Sequence, residues 1–193
     1  DWSLGAHQLQ YIYETFDGTS EGAQKVIGDI KAGEADLHSY GRVSEFLDMF
    51  DVLKEYNVAK GDPLGADYDE MAIDLADGKT AFWFNGNWAW PNLSEAGAKE
   101  EDAYGFLPYF MNNDSSDFVI QGSPSKQVML DGQVATEKEQ AAAKEFLNWI
   151  VYSEIGQQML VKTCNIIPPF QNNPYEPADP LSRDIYEKVH NGR

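Results

Sequence analysis

Residues 82–93 read Phe82-Trp83-Phe84-Asn85-Gly86-Asn87-Trp88-Ala89-Trp90-Pro91-Asn92-Leu93, an aromatic run wrapped around a polar Asn-Gly-Asn centre. The stretch before it, Tyr68 to Lys79, has helical spacing of Met71 and Leu75 and then meets Gly78. The pattern predicts a helix ending at Gly78, a short buried strand over Thr80–Phe84, and a turn that presents Trp88 at the start of the next helix. A flat indole beside amides and free helix-start N–H groups suits a sugar, whose C–H face stacks while its hydroxyls hydrogen-bond. The competing reading is that these aromatics are core, which fits Trp83 and Phe84 best and Trp88 least.

Composition narrows the function classes. A chain of 193 residues, 42% hydrophobic and 24% charged, is long enough for a real core and ordinary for a globular domain. Its formal net charge of −18 argues against nucleic acid and anionic membrane surfaces as partners, because both need clustered Lys and Arg. The same charge disfavours a strongly anionic ligand. A single cysteine, Cys164, leaves the redox compartment unreadable, and no segment is apolar enough to span a membrane.

The rest of the chain reads as helices separated by breaks. Helical spacing predicts Ser20–Ala32 (Ala23, Val26, Ile27, Ile30) and Ser44–Tyr56, with Phe46, Leu47, Phe50, Leu53 and Tyr56 on one face. Gly61-Asp62-Pro63-Leu64-Gly65 breaks the chain before a helix over Asp67–Asp77. Beyond Pro91 a short acidic helix leads to strands predicted at Tyr104–Leu107 and Phe118–Ile120, with a polar loop between them. Gly122-Ser123-Pro124-Ser125 and Asp131-Gly132 are turns around a strand-like Val128-Met129-Leu130.

Taken in order, these segments resemble the C-terminal lobe of extracellular solute-binding proteins of the maltose-binding-protein-like family, the capture subunits of carbohydrate ABC importers. The resemblance rests on Asp77-Gly78-Lys79-Thr80-Ala81, Asn85-Gly86-Asn87-Trp88-Ala89-Trp90, Tyr104-Gly105-Phe106-Leu107-Pro108, Ala143-Lys144-Glu145-Phe146-Leu147 and Ile166-Ile167-Pro168. It implies an α/β, periplasmic-binding-protein-like (type II) two-lobe fold, incomplete in this chain. Residues 1–124 would be the main part of the C-terminal lobe and 125–133 a hinge crossing. Residues 134–171 would belong to the N-terminal lobe, with helices over Glu137–Ile150 and Ser153–Leu160; 172–178 would cross back, and 179–193 would be a C-terminal-lobe helix over Asp179–Asn191 with Ile185, Tyr186 and Val189 inward. The terminal Arg193 fits a tryptic fragment. Phe146, Leu147, Ile150, Ile155, Met159 and Leu160 would then pack on N-terminal-lobe strands outside this chain, so a complementary fragment or a dimer mate is expected to cover residues 137–162.

Function follows from the same resemblance. It implies capture of an oligosaccharide outside the cell or in the periplasm and delivery to an ABC permease by cleft closure, with a lipoprotein anchor on the full-length parent. Trp88 matches the family's stacking tryptophan. Asn87 stands where the maltose binder has Pro, so its ligand contact is not carried over and it is a polar-contact candidate only. Trp2 is a second aromatic candidate, and the Gly122-Ser123 turn offers backbone contacts.

Other chemistry is thinner. No cofactor, metal or catalytic residue is expected. Asp67, Asp69 and Glu70 are the densest carboxylates, yet acids at a helix start favour its dipole. Asp62, Asp67 and Asp69 lack the spacing and the closing Glu of an EF-hand. His7, His38 and His190 share no ligand spacing, and no nucleophile elbow, phosphate loop or dinucleotide fingerprint occurs. The alternatives are a carbohydrate-active enzyme domain, a binder of a non-sugar solute, and a structural surface domain in which the tryptophans are core.

Overall fold

The computed structural model describes residues 4–14, 19–63, 65–112, 120 and 127–190. Eight α-helices are formed among them: α1 (Gln10–Glu14), α2 (Ser20–Ala32), α3 (Gly41–Tyr56), α4 (Tyr68–Ala76), α5 (Trp90–Glu95), α6 (Glu137–Tyr152), α7 (Glu154–Gln158) and α8 (Pro180–His190). The chain divides into two compact units, Asp1–Asp67 with Pro108–Val119, and Tyr68–Leu107 with Ile120–Arg193.

The first unit is built on α1 to α3. Thr19 caps α2 by accepting the Gly22 N–H at 3.0 Å, and Gly33 closes it at φ 72°, where a side chain would be strained. Tyr11, Ile12, Val26, Phe46 and Met111 are its buried apolar residues. The Tyr11 and Tyr109 rings lie 4.3 Å apart, and the Tyr109 hydroxyl donates to Met49 Sδ at 3.2 Å. Of the apolar face predicted for α3, Phe46 alone is buried, while Leu47, Leu53 and Tyr56 are exposed. Helical spacing placed them together, but spacing does not supply a partner surface.

The second unit has a core of Ala72, Ala89, Trp90, Leu93, Ala98 and Leu181, flanked by Leu75, Trp83, Tyr104 and Phe106. Thus α4, α5, the turn before α5 and the start of α8 share one apolar centre. Helix α4 ends as its sequence predicts: Gly78 takes φ 72°, and the N–H groups of Lys79 and Thr80 return to the Asp74 carbonyl. In α8, Ile185 is buried, but Val189, expected inward, is 59% exposed.

Helix α6 opens with a capping box in which Thr136 and Glu139 each satisfy the other's backbone N–H. Ser153 caps α7, and the buried amide of Gln157 donates to the carbonyls of Val151 and Asn172. Asn172 and Asn173 return hydrogen bonds to Val151 and Gln157, so residues 172–173 are tied to the α6–α7 corner.

The strands expected at Thr80–Phe84, Tyr104–Leu107 and Val128–Leu130 are not formed; a single bridge residue, Tyr109, is the extent of pairing among the described residues. Phe118–Ile120 lies largely outside them. The physical reason is visible at Phe106. Its N–H donates to Asp184 Oδ2 at 2.6 Å and its carbonyl accepts from Lys188 Nζ at 3.0 Å, so side chains of α8 occupy the groups a neighbouring strand would have taken. At Thr80 the N–H is likewise consumed by the cap of α4.

Candidate functional site

The Asn-Gly-Asn-Trp segment is fixed from several directions within the second unit. Asn85 Nδ2 donates to the Tyr68 hydroxyl at 3.1 Å, and its Oδ1 accepts the Gly86 N–H at 2.9 Å. Tyr68 in turn packs against Trp83, with ring centroids 4.9 Å apart. Asn87–Ala89 then form one 3-10 turn that runs into α5, with the Ala89 N–H bonded to the Gly86 carbonyl. Pro91 sits in the first turn of α5, where its missing N–H costs nothing.

Within that turn the aromatic residues part company. Trp90 is 9% exposed and lies edge-on to Tyr104, as a core residue should. Trp88, two positions earlier, is 47% exposed. Its indole lies across the Cα of Gly86, so closely that a Cβ at residue 86 would collide with Cζ3, Cη2 and Cε3. The result is a half-exposed aromatic plate on a short, well-anchored turn. Such a plate offers an apolar face to a ligand at low entropic cost.

Asn87 turns out to be engaged within the protein. Its Nδ2 donates to Ser182 Oγ at 3.0 Å, and Ser182 is fully buried in the first turn of α8. Asp179 caps that helix, accepting the Ser182 N–H at 2.8 Å through Oδ1, while Oδ2 is enclosed with no hydrogen-bond partner among the described residues. Trp2, Gly122 and Ser123 lie outside the described residues. Sequence reasoning missed Ser182 and Asp179. The cap was readable in Asp179-Pro180, but nothing local announces a bond from Asn87 to a serine 95 residues away.

Two of the carboxylates weighed as catalytic or metal-binding groups are hydrogen-bonded within the protein. Asp62 Oδ1 accepts the Gly65 N–H and Asp69 Oδ1 accepts from Asn92 Nδ2 at 2.9 Å. Among the described residues, no group of three His, Cys, Asp or Glu is arranged to hold a metal ion. No described helix is long and apolar enough to cross a membrane.

The profile of the bacterial extracellular solute-binding protein family matches residues 4–182. The chain belongs to that family. Searches of curated proteins and of solved structures find no match. A bacterial extracellular solute-binding protein works outside the cytoplasm, binds a solute, and serves an ABC transporter permease. Membership also carries the expectation of a periplasmic-binding-protein-like fold and of a binding rather than a catalytic role.

Proposed function

We propose that this solute-binding protein captures an oligosaccharide and delivers it to its permease by closure of two lobes, with Trp88 as the stacking platform. The observation that carries the reading is the contrast within one turn: Trp90 is 9% exposed and Trp88 is 47% exposed, with its indole laid over Gly86. A core tryptophan would be enclosed. A platform must keep one face open while its position is held, and the turn does both.

Asn87 supplies a weaker polar contact, since one of its N–H groups is committed to Ser182. Trp2 and the Gly122-Ser123 turn complete the candidate set. The lobes follow the resemblance: 1–124 in the C-terminal lobe, 125–133 and 172–178 as crossings, 134–171 in the N-terminal lobe, and 179–193 in a C-terminal-lobe helix, all within an α/β two-lobe whole anchored as a lipoprotein. Binding does no covalent chemistry; higher affinity for the closed form drives the closure.

The exposed face of α6 and α7 fits this picture. Phe146 is 57% exposed and Ile155 63%, with Met159 and Trp149 beside them, and the Phe146 and Trp149 rings stack at 6.0 Å. Burying one such side chain is worth about 1.5–3 kcal/mol, so N-terminal-lobe strands or a dimer mate would gain much by covering it. The test is thermal shift of the protein, expressed from its complete coding sequence, against malto- and xylo-oligosaccharides. Stabilisation by one series supports the reading, and stabilisation only by peptides or polyols would replace it with a non-sugar solute.

A further inference from the structure

The first turn of α8 is tightly held within the second unit. Pro180, Leu181 and Ser182 are all buried, and Leu181 shares the core that encloses Ala89 and Trp90. Asp179 fastens the turn twice, through Oδ1 to the Ser182 N–H and through its carbonyl to the Arg183 N–H at 3.0 Å. From this rigid point Ser182 Oγ receives the Asn87 amide at 3.0 Å.

Asn87 precedes Trp88 directly. On the far side of Trp88, Ala89 is 1% exposed and locked in the core. The indole is therefore carried by a backbone pinned at both neighbours, by packing at Ala89 and by the Ser182 hydrogen bond at Asn87. A buried hydroxyl is costly to leave unpaired, which gives the Asn87 contact a reason to persist.

We propose that Ser182, held by its cap Asp179, is a positioning residue that sets the orientation of the Trp88 indole through Asn87. The inference rests on the reading of Trp88 as a ligand platform, and it adds a support that no ligand contact would reveal. The bond joins residues 95 apart in sequence, so α8 is the buttress of a turn it never approaches along the chain.

The five tryptophans allow a ligand-free test by 5-fluorotryptophan labelling and fluorine NMR, with Trp88→Phe assigning the Trp88 resonance. Asn87→Ala, Ser182→Ala and the double variant are compared with the parent. The expected result is the same shift or broadening of the Trp88 resonance in all three, with the other four signals unmoved. Equal effects from the single and double variants are the mark of one shared link. An unmoved Trp88 resonance, additive shifts, or equal movement of every tryptophan would overturn the proposal. If Ser182→Ala does not fold, Ser182→Cys, which keeps the volume and replaces the hydroxyl by a weak acceptor, takes its place in the same comparison. Absence of saccharide binding in the parent would remove the carbohydrate reading alone, because the fluorine measurement needs no ligand.

Discussion

The indole of Trp88 occupies the space that a side chain at Gly86 would need. Gly86 itself has φ −121° and ψ 178°, an extended backbone that any residue adopts. The glycine is thus required by the ring and not by the chain. Gly86→Ala should leave the fold intact, with a melting temperature near that of the parent, because the colliding atoms belong to a side chain that can swing away. It should displace the indole and, if the ligand is the proposed saccharide, reduce affinity for it about tenfold or more, the equivalent of about 1.4 kcal/mol. Calorimetric titration beside a melting curve checks both halves.

Gly156 meets the opposite situation. A Cβ there would lie 2.6 Å from Ile150 Cα and 2.6 Å from the Trp149 carbonyl oxygen, both backbone atoms at the end of α6. Backbone cannot rotate away. Gly156→Ala should destabilise the α6–α7 corner by about 1–3 kcal/mol, as overpacking does in close-packed regions. Urea denaturation followed by circular dichroism would show it as a lower midpoint.

Asp184 stands in for a strand. Its Oδ2 receives the Phe106 N–H and pairs with Lys188, which also reaches the Phe106 carbonyl. Asp184→Ala leaves a partly buried backbone N–H without its acceptor and should cost about 1–3 kcal/mol. The amide of Phe106 should then exchange with solvent much faster, while amides within α4 remain protected.

How much of this was legible in the sequence varies with the range of the interaction involved. Helices α2, α4 and α6 follow local spacing and their caps, and Ser20–Ala32 appears with the predicted bounds. The Gly78 stop was readable because a left-handed residue after an apolar run has few other uses. The strands expected within the described residues were misjudged because a segment such as Tyr104–Leu107 has strand composition, while pairing depends on a partner. Here Asp184 and Lys188, some 80 residues onward, provide hydrogen bonds instead. In the candidate site, the aromatic motif drew attention to Trp88, but the Asn87–Ser182 bond has no local signature. The family profile over residues 4–182 supports the solute-binding reading, whereas the sugar preference rests on one exposed indole.

Acid should loosen the entrance to α6 first. Asp131 is held below its ordinary pKa by the N–H groups of Gln133 and then Val134; Glu139 is held below its own by the Thr136 hydroxyl and then its N–H. A carboxylate with a lowered folded-state pKa contributes stability that is present above the unfolded value, about 4, and is lost as pH falls through the folded value. Exchange of the Gln133, Val134 and Thr136 amides, corrected for intrinsic rates, should therefore lose protection as pH drops below about 4. Amides in the middle of α2, distant from these caps in sequence, should change less.

The central claim is that Trp88 is the surface on which a sugar stacks. Its most direct test is titration of malto- and xylo-oligosaccharides into the protein, expressed from its complete coding sequence, and into Trp88→Ala. Tryptophan emission and melting temperature are read together. The account predicts saturable quenching and ligand-dependent stabilisation in the parent, both lost in the variant while its unliganded melting temperature stays close to the parent's. Equal saccharide binding by parent and variant would contradict it, as would a Trp88→Ala protein that unfolds like one missing a core residue.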